Sequence, residues 1–456
     1  MTVTAEALFA RYQRANRFLD EELIRLDPPP PDPRCRREWM ESFLPRLGQP
    51  QRAFEAVHVA GTSGKGSVAM LIAELLRASG VRTGLHVSPY LQVGTEKLWV
   101  DGAYASVDEL ASLVEWIRPH CDALRAPEVP LHGLASVAVA LEHFRRRRVD
   151  LAVVEVGVGG RQDLTNVLRT RVAVVTAVGL DHLKSLGPDL ASIAWHKAGI
   201  IRAGCRAVIL EDNPALAAAR RQAADVGAPL RVLPRSCFTG DVEADGSQSL
   251  SFQGRRLRLE HAPLGMAGTF QLENAALALA ALEELDPEGP TLDEGAVRLA
   301  LGRARLPARL ERLPGLSGSC PVVLDGAHNP DKLGALLSSL PSLGPRRWHV
   351  VYGALASRPL TPALQRLAAA ASGFVVTEPR VHAKPPCPAG EVLAALPPRT
   401  PPARVVPDPQ AALDLALDGA GPGDLVLVTG SLYLCGELRG RWYPAPEVVA
   451  HQRSWF

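Results

Sequence analysis

The chain has 456 residues, 50 of them basic and 48 acidic, which leaves a formal net charge of +2 at pH 7. That near-balance excludes a dedicated nucleic-acid binder, which carries a basic excess, and a content of 47% hydrophobic and 21% charged residues excludes wholesale disorder. At roughly 150 residues per domain the length predicts two or three domains, and no apolar run approaches the roughly 18 residues of a membrane span.

Helical apolar spacing over residues 5–26 runs into DPPPPDPR (27–34), which reads as a loop. The opening 23 residues lack the apolar core and cleavage pattern of a signal peptide. Short β-branched runs then alternate with Ala/Leu-rich amphipathic stretches. Strands are predicted at 54–61, 83–88, 151–157, 172–179 and 206–210. Helices are predicted at 66–80 and 106–120, the second opening on a Ser106/Glu109 capping box. Nearly continuous apolar strands alternating with helices mean a buried, mostly parallel sheet. Around 228–264 the pattern becomes alternating and Gly-punctuated, which predicts an antiparallel appendage. Helices follow at 272–285 and, from a Thr291/Glu294 capping box, at 291–302. A second α/β series has strands at 322–328, 348–354, 373–379, 403–408 and 424–430. The expected fold is therefore α/β. An N-terminal P-loop ATPase-like domain, 1–303, has a mostly parallel sheet and a small antiparallel appendage, and a Rossmann-like α/β domain spans 304–456. The arginine run at 145–148 reads as a solvated helix face, and 396–402 as a loop.

Only six of the 50 basic residues are lysine: Lys65, Lys97, Lys184, Lys197, Lys332 and Lys384. Arginine replaces lysine well as a solvated charge, but not where an amine must lose its proton or sit as a compact ammonium on phosphate. The surviving lysines are candidates for such positions, although Lys332 reads better as a helix-surface residue. Seven cysteines, an odd number with no CxxC pair, point to reduced thiols in a cytoplasmic protein.

The segment HVAGTSGKGS (58–67) takes an apolar strand through a Gly-rich turn into a helix. Gly61, Thr62, Ser63, Gly64 and Gly66 would turn backbone N–H groups inward, the helix would add its N-terminal dipole, and Lys65 would reach the β/γ-phosphates. Ser67 suits Mg²⁺ or phosphate. The usual loop pattern keeps its Lys and Ser adjacent, whereas Gly66 intervenes here. Three strands end in polar groups that are costly to bury unpaired: Glu155, Asp181 with His182, and Ser88. A carboxylate, an imidazole and two hydroxyls, from Ser67 and Ser88, converging on the loop would supply Mg²⁺ ligands, the imidazole being unusual for that ion. Each of these residues taken alone reads better as a hydrogen-bonded structural group, whereas their convergence favours the functional reading. In the second domain the strand ending at Asp325, with His328 and Asn329 beyond it, repeats the pattern; Asp325 reads either as a ribose contact or as the cap of a turn.

Taken in order, HVAGTSGKGS, SPYL, EVGVGGRQDLTN, LDHLKSLG, HKAGI, GTFQLENAALAL, LPARLE, DGAHNP and VTGSLYL resemble the folylpolyglutamate synthases, often bifunctional with dihydrofolate synthase, over about residues 46–437. These form a branch of the Mur ligase superfamily. The resemblance implies an ATP- and Mg²⁺-dependent ligase that joins L-glutamate to a folate or dihydropteroate carboxylate through an acyl phosphate. It implies that 61–67 hold the phosphates, that Ser67, Ser88, Glu155 and His182 serve magnesium, and that Asn274, Arg309 and Asp325 contact ATP. His328 would lie near the incoming glutamate, and Lys197 matches a lysine that family members carry as a carbamate; the plain alternative is a salt-bridging lysine. The expected protein is a cytoplasmic monomer without nucleic-acid or membrane partners.

The chain departs from the family pattern at Tyr90, His196, Phe270 and Ala308, and lacks the usual Lys-Asp within GALASRPL (353–360). The pterin-associated places differ most: the early loop is DPPPPDPRCRREW, and the family's aromatic-Glu pair is replaced by Gly133 and Leu134. Two readings compete, a ligase of the same superfamily with a non-folate acceptor and a non-catalytic ATP-binding module. A muramyl ligase is disfavoured, since only 57 residues precede His58.

Overall fold

The computed structural model describes residues 4–24, 36–124, 129–242, 247–286, 293–315, 320–344, 347–356, 362–382, 384–397 and 403–456. The first sheet is built from β1 (Glu55–Ala60), β2 (Thr83–His86), β3 (Trp99–Val100), β4 (Ala103–Tyr104), β5 (Leu151–Glu155), β6 (Thr170–Val175), β7 (Arg206–Leu210) and β8 (Leu230–Leu233). Their order is β4-β3-β2-β5-β1-β6-β7-β8, parallel except for the short β3–β4 edge. Val57 of β1 lies between Val153 of β5 and Val172 of β6. Helices cover both faces, so these central strands have no solvent side and read as unbroken apolar runs.

An antiparallel three-stranded appendage follows, from β9 (Phe238–Val242), β10 (Gln248–Gln253) and β11 (Arg258–Leu264). It begins later than the sequence pattern suggests. Residues 230–233 join the main sheet as β8, parallel to β7. Their misleading alternation comes from Arg231, whose guanidinium is buried against Glu283 at 2.7 Å instead of facing water. The second large sheet contains β12 (Glu311–Leu313), β13 (Val322–Leu324), β14 (Trp348–Tyr352), β15 (Gly373–Val376), β16 (Ala403–Val405) and β17 (Leu425–Thr429). Its order is β12-β13-β17-β14-β15-β16, with β12 antiparallel to β13 and the rest parallel. In both sheets the polar loops of interest leave the carboxyl ends of the strands, where open α/β sheets bind ligands.

The Ser106/Glu109 capping box is present, with Ser106 Oγ accepting the Glu109 N–H at 3.2 Å and Glu109 Oε2 accepting the Ser106 N–H at 2.8 Å. The helix expected to open at Thr291 instead begins at Glu294, capped by Asp293 Oδ1 on the Ala296 N–H at 2.7 Å; Thr291 lies outside the described residues, as does DPPPPDPR. The first helix, Ala5–Arg17, passes into a π-helical turn at Phe18–Glu22. The Ala445–His451 helix near the other end of the chain packs back on Ala5–Arg17, so Val448 and Val449 share a core with Tyr12. Among the described residues no helix is long and apolar enough to cross a membrane.

The Phe270–Leu285 helix, which carries Asn274, lies against β6, β7 and the Lys65–Ala78 helix. It is tied to the appendage by Glu283, whose buried carboxylate accepts from Arg231 Nη1 and from the backbone N–H groups of Arg255 (3.2 Å), Arg256 (2.7 Å) and Leu257 (2.9 Å). Truncating one partner of such a pair leaves the others buried and unsatisfied. Glu283→Ala is therefore expected to lower stability by about 3–5 kcal/mol, read as a fall in the midpoint of chemical denaturation.

Candidate active site

β1 ends at Ala60, the chain turns through 61–64, and a helix starts at Lys65. Gly64 sits at φ +82°, and a Cβ there would collide with Asn274 Oδ1. A Cβ at Gly61 would collide with the Thr176 hydroxyl. Only glycine allows approach this close. The segment beyond β6 laces the turn in place. The Thr62 N–H donates to Ala177 O at 2.8 Å, its hydroxyl donates to Gly179 O at 2.9 Å, and the Thr176 hydroxyl donates to Ser63 O at 2.7 Å. Ser67 Oγ accepts from Gln271 Nε2 at 3.3 Å, and Gln271 Oε1 accepts from Asn274 Nδ2 at 2.8 Å. The start of the Phe270–Leu285 helix is thereby fixed against the loop.

Lys65 Nζ stands 3.7 Å from Glu155 Oε1, and Glu155 Oε2 accepts the Ser88 N–H at 3.1 Å. Loop, carboxylate and the turn after β2 are thus brought together. Lys197 lies behind the loop, 3% exposed, with its Nζ donating to Gly61 O at 2.7 Å. Burial, reinforced by the Lys65 and Lys332 charges and only partly offset by Asp181 and Asp163, pulls its pKa down to about 7. The Gly-rich turn after β5 explains itself here: Arg161 N–H donates to His196 O at 2.7 Å and Asn166 Nδ2 to Gly199 O at 3.1 Å, seating the helix that carries Lys197.

From the other sheet comes the turn holding Arg309. Its neighbours Ala308 and Leu310 both have positive φ, +54° and +46°. Asp325 stabilises this turn, accepting the Leu310 N–H through Oδ2 and the Ala327 N–H through Oδ1, each at 2.9 Å. The capping role is therefore present, and Asp325 also lines the cavity. Burial raises its carboxyl pKa despite Arg309 and these donors.

Together these elements enclose a cavity of about 230 Å³, lined by residues 62–67, Glu155, Asn274, Arg309 and Asp325 among the expected site residues. Asp331 and Lys332 line it as well. Lys332 thus faces the cavity and not a solvated helix surface. Nothing in the sequence singled out Asp331; in the structure its carboxylate packs so close to Gly179 that a Cβ there would collide with it. Asn329 caps the Pro330–Ser339 helix and reaches Asp181 Oδ2 with its Nδ2 at 3.3 Å, bridging the two walls.

Ser88, His182, Lys197 and His328 do not line this cavity. β6 ends at Val175, so His182 lies well beyond the strand end, its side chain 39% exposed and its φ at +52°. His328 Nδ1 donates to Gly326 O at 2.7 Å, which leaves Nε2 as the acceptor 3.3 Å from Lys332 Nζ. Among the described residues no three His, Cys, Asp or Glu side chains form a metal cluster. The oxygens of Glu155, Ser67 and Ser88 are nevertheless hard donors of the kind Mg²⁺ accepts, since that ion completes its shell with phosphate and water.

Around Tyr90 the chain builds a second polar cluster. The Tyr90 hydroxyl donates to Asp20 in the π-helical turn, His132 Nε2 stands 3.9 Å from Asp20, and Lys97 Nζ lies 5.1 Å over the Tyr90 ring. Burial opposes ionisation of Asp20, but hydrogen bonds from His132, Tyr90 and Asn16 and the charge of Lys97 hold its pKa below the usual carboxylate range.

Comparison with known proteins places this geometry. The Mur ligase middle domain matches residues 59–282, and the glutamate ligase domain of Mur ligases matches 308–432. The dihydrofolate synthase/folylpolyglutamate synthase of Bacillus subtilis (strain 168) is 32% identical over 413 residues, 88% of this chain and 94% of that one. The Mycobacterium tuberculosis folylpolyglutamate synthase, solved with ADP and AMPPCP, superposes with a TM-score of 0.83 at 29% identity, covering 95% of this chain and 98% of that one. The bifunctional folylpolyglutamate synthase/dihydrofolate synthase of Yersinia pestis, solved with AMPPNP and a manganese ion, gives 0.77 at 25% identity over 97% and 100% of the two chains. The chain belongs to the dihydrofolate synthase/folylpolyglutamate synthase family of Mur ligases.

Proposed function

We propose that the chain is an ATP-dependent ligase that adds L-glutamate to a folate or dihydropteroate carboxylate. The observation that carries this reading is the cavity itself, where the glycine-rich loop and Lys65 face Arg309 and Lys332 from the opposite sheet. An acceptor carboxylate attacks the γ-phosphorus of ATP and ADP departs, leaving an acyl phosphate. The glutamate amine then attacks the acyl carbon, phosphate leaves and the amine loses a proton. Little covalent chemistry is asked of the protein, so positioning and charge screening carry catalysis. Residues 61–67, Asn274, Arg309 and Asp325 hold the nucleotide in this reading. Ser67, Ser88 and Glu155, with His182, would hold Mg²⁺, which would supply neutralisation of phosphate charge when bound. His328 lies on the glutamate side. We divide the chain at 303/304 into the ATP-binding unit and the glutamate ligase unit. We read it as a cytoplasmic monomer without nucleic-acid partners, a reading supported by its near-neutral charge.

Phosphate release from ATP with L-glutamate is expected to rise when tetrahydrofolate or dihydropteroate is added, and not with a muramyl acceptor. Failure of every pteroate and folate to stimulate it would overturn the acceptor assignment. Lys65→Arg is expected to lower kcat at least about 100-fold, because a planar fork does not fit a loop shaped for a narrow ammonium; near-normal turnover would remove Lys65 from the phosphates.

Lys197 is the candidate carbamate. Its neutral amine adds CO₂ and releases a proton, turning a buried cation into a carboxylate-like group that can bind metal or water. A pKa of about 7 makes that amine available near neutrality. A carbon-13 carbamate signal from labelled bicarbonate is expected in the wild-type protein and not in Lys197→Arg. With CO₂ and bicarbonate excluded, the free folded amine loses its proton near 7 and the unfolded one near 10.5, so folding releases a proton in that window. The stability contributed by this group therefore rises with pH between those values, a slope that denaturation midpoints should show and that Lys197→Met should lack.

A further inference from the structure

Arg439 closes the Leu432–Arg439 helix and is 0% exposed, an unusual place for a guanidinium. Each of its three nitrogens is engaged. Nε donates to Glu311 Oε1 and Oε2 at 2.9 and 3.0 Å, Nη2 to Ser454 O at 2.8 Å, and Nη1 to Gln92 Oε1 at 2.6 Å. The rings of Tyr443 and Trp455 lie 4.2 and 5.2 Å from its Cζ.

Two of its polar partners, Glu311 and Gln92, lead to opposite walls of the cavity. Glu311 Oε2, held by Arg439, accepts the Ala308 N–H at 3.0 Å, and Ala308 is the positive-φ residue that aims Arg309. Gln92 belongs to the turn that begins with Ser88, whose N–H binds Glu155. That turn is rigid: Glu96 accepts the N–H groups of Leu91, Gln92 and Val93 at 2.7–3.0 Å. It also touches the Arg439 helix so closely that a Cβ at Gly436 would collide with Leu91 O. A buried ion pair is weak evidence for stability, since apolar packing would serve as well, but it fixes geometry.

We infer that Arg439 is a positioning residue for the ligation: through Gln92 on one side and Glu311 on the other it sets the Arg309 turn against the Ser88 turn, so that phosphate and acceptor meet in register. The inference rests on the reading of Arg309 as a phosphate contact. It extends that reading to a residue that touches neither substrate.

The test is a double-mutant cycle on the full chain, with Mg·ATP, L-glutamate and tetrahydrofolate or dihydropteroate. Gln92→Ala removes the link while leaving the Arg439–Glu311 pair intact. It is expected to lower kcat about 10-fold with the KM for ATP nearly unchanged, while the melting temperature falls modestly because Nη1 of the buried Arg439 loses its acceptor. In an Arg309→Ala background the same change should have no further effect on kcat. Arg439→Lys, which keeps the charge but loses the fork, should lower kcat at least as much as Gln92→Ala, and if it fails to fold the Gln92 cycle decides alone. Wild-type kcat in Gln92→Ala, or losses that simply multiply with Arg309→Ala, would overturn the relay while leaving the nucleotide site standing. An Arg309→Ala variant with full activity would instead bring down the reading of Arg309, and the relay with it.

Discussion

Crowded, opposed charge is the constraint around which the rest of the molecule is arranged. Lys65, Arg309 and Lys332 share one small cavity with Glu155, Asp325 and Asp331, and Lys197 is buried just behind it. The strain is visible in Lys197, where the charges of Lys65 and Lys332 add to burial in depressing the pKa and Asp181 and Asp163 only partly offset them. The surrounding contacts can be understood as the means of enforcing this arrangement: the lacing of the loop by Thr176 and Ala177, the seating of Lys197 by the turn after β5, and the hold of Asp325 on the Arg309 turn.

Features that depend on contiguous residues were legible in the sequence. The phosphate loop, the parallel strands and the Ser106 cap are local patterns, because strand periodicity, glycine spacing and capping all act within a few residues. Arg231 defeated the same reasoning, since its alternation mimics a half-exposed strand while its charge is neutralised by Glu283, some 50 residues away. Arg439 was invisible for the same reason: its partners Gln92, Glu311 and Ser454 come from three distant segments. The site was legible where one strand end delivers a group directly, as with Glu155. It was less so for His182, which a long excursion beyond β6 carries to an exposed rim.

The scarcity of lysine sharpened some of these positions and misjudged others. Lys65 and Lys332 line the cavity, Lys197 sits behind it, and Lys97 donates to Ser136 Oγ at 2.9 Å beside Tyr90. Lys384, which had no role from its context, meets the Tyr433 hydroxyl. Lys184, by contrast, is exposed within the LDHLKSLG segment. Retention of an amine therefore marks a specific partner more often than a catalytic step, and Lys332 shows that a helix-surface pattern does not exclude a site facing.

Ala308 shows how a strained turn can be held. An alanine in the left-handed region costs about 1 kcal/mol relative to a glycine there. The turn nevertheless keeps its shape, because three contacts determine it. Glu311 takes the Ala308 N–H, Ala308 O accepts the Gly326 N–H at 3.0 Å, and Asp325 takes the next available N–H at Leu310. Strained backbone persists where its surroundings over-determine it. Without glycine's freedom, the aim of Arg309 depends more heavily on Glu311, and Glu311 is held by Arg439. The left-handed alanine at one wall of the cavity and the buried arginine beneath it are, on this account, two parts of a single solution to holding the Arg309 guanidinium in the cavity.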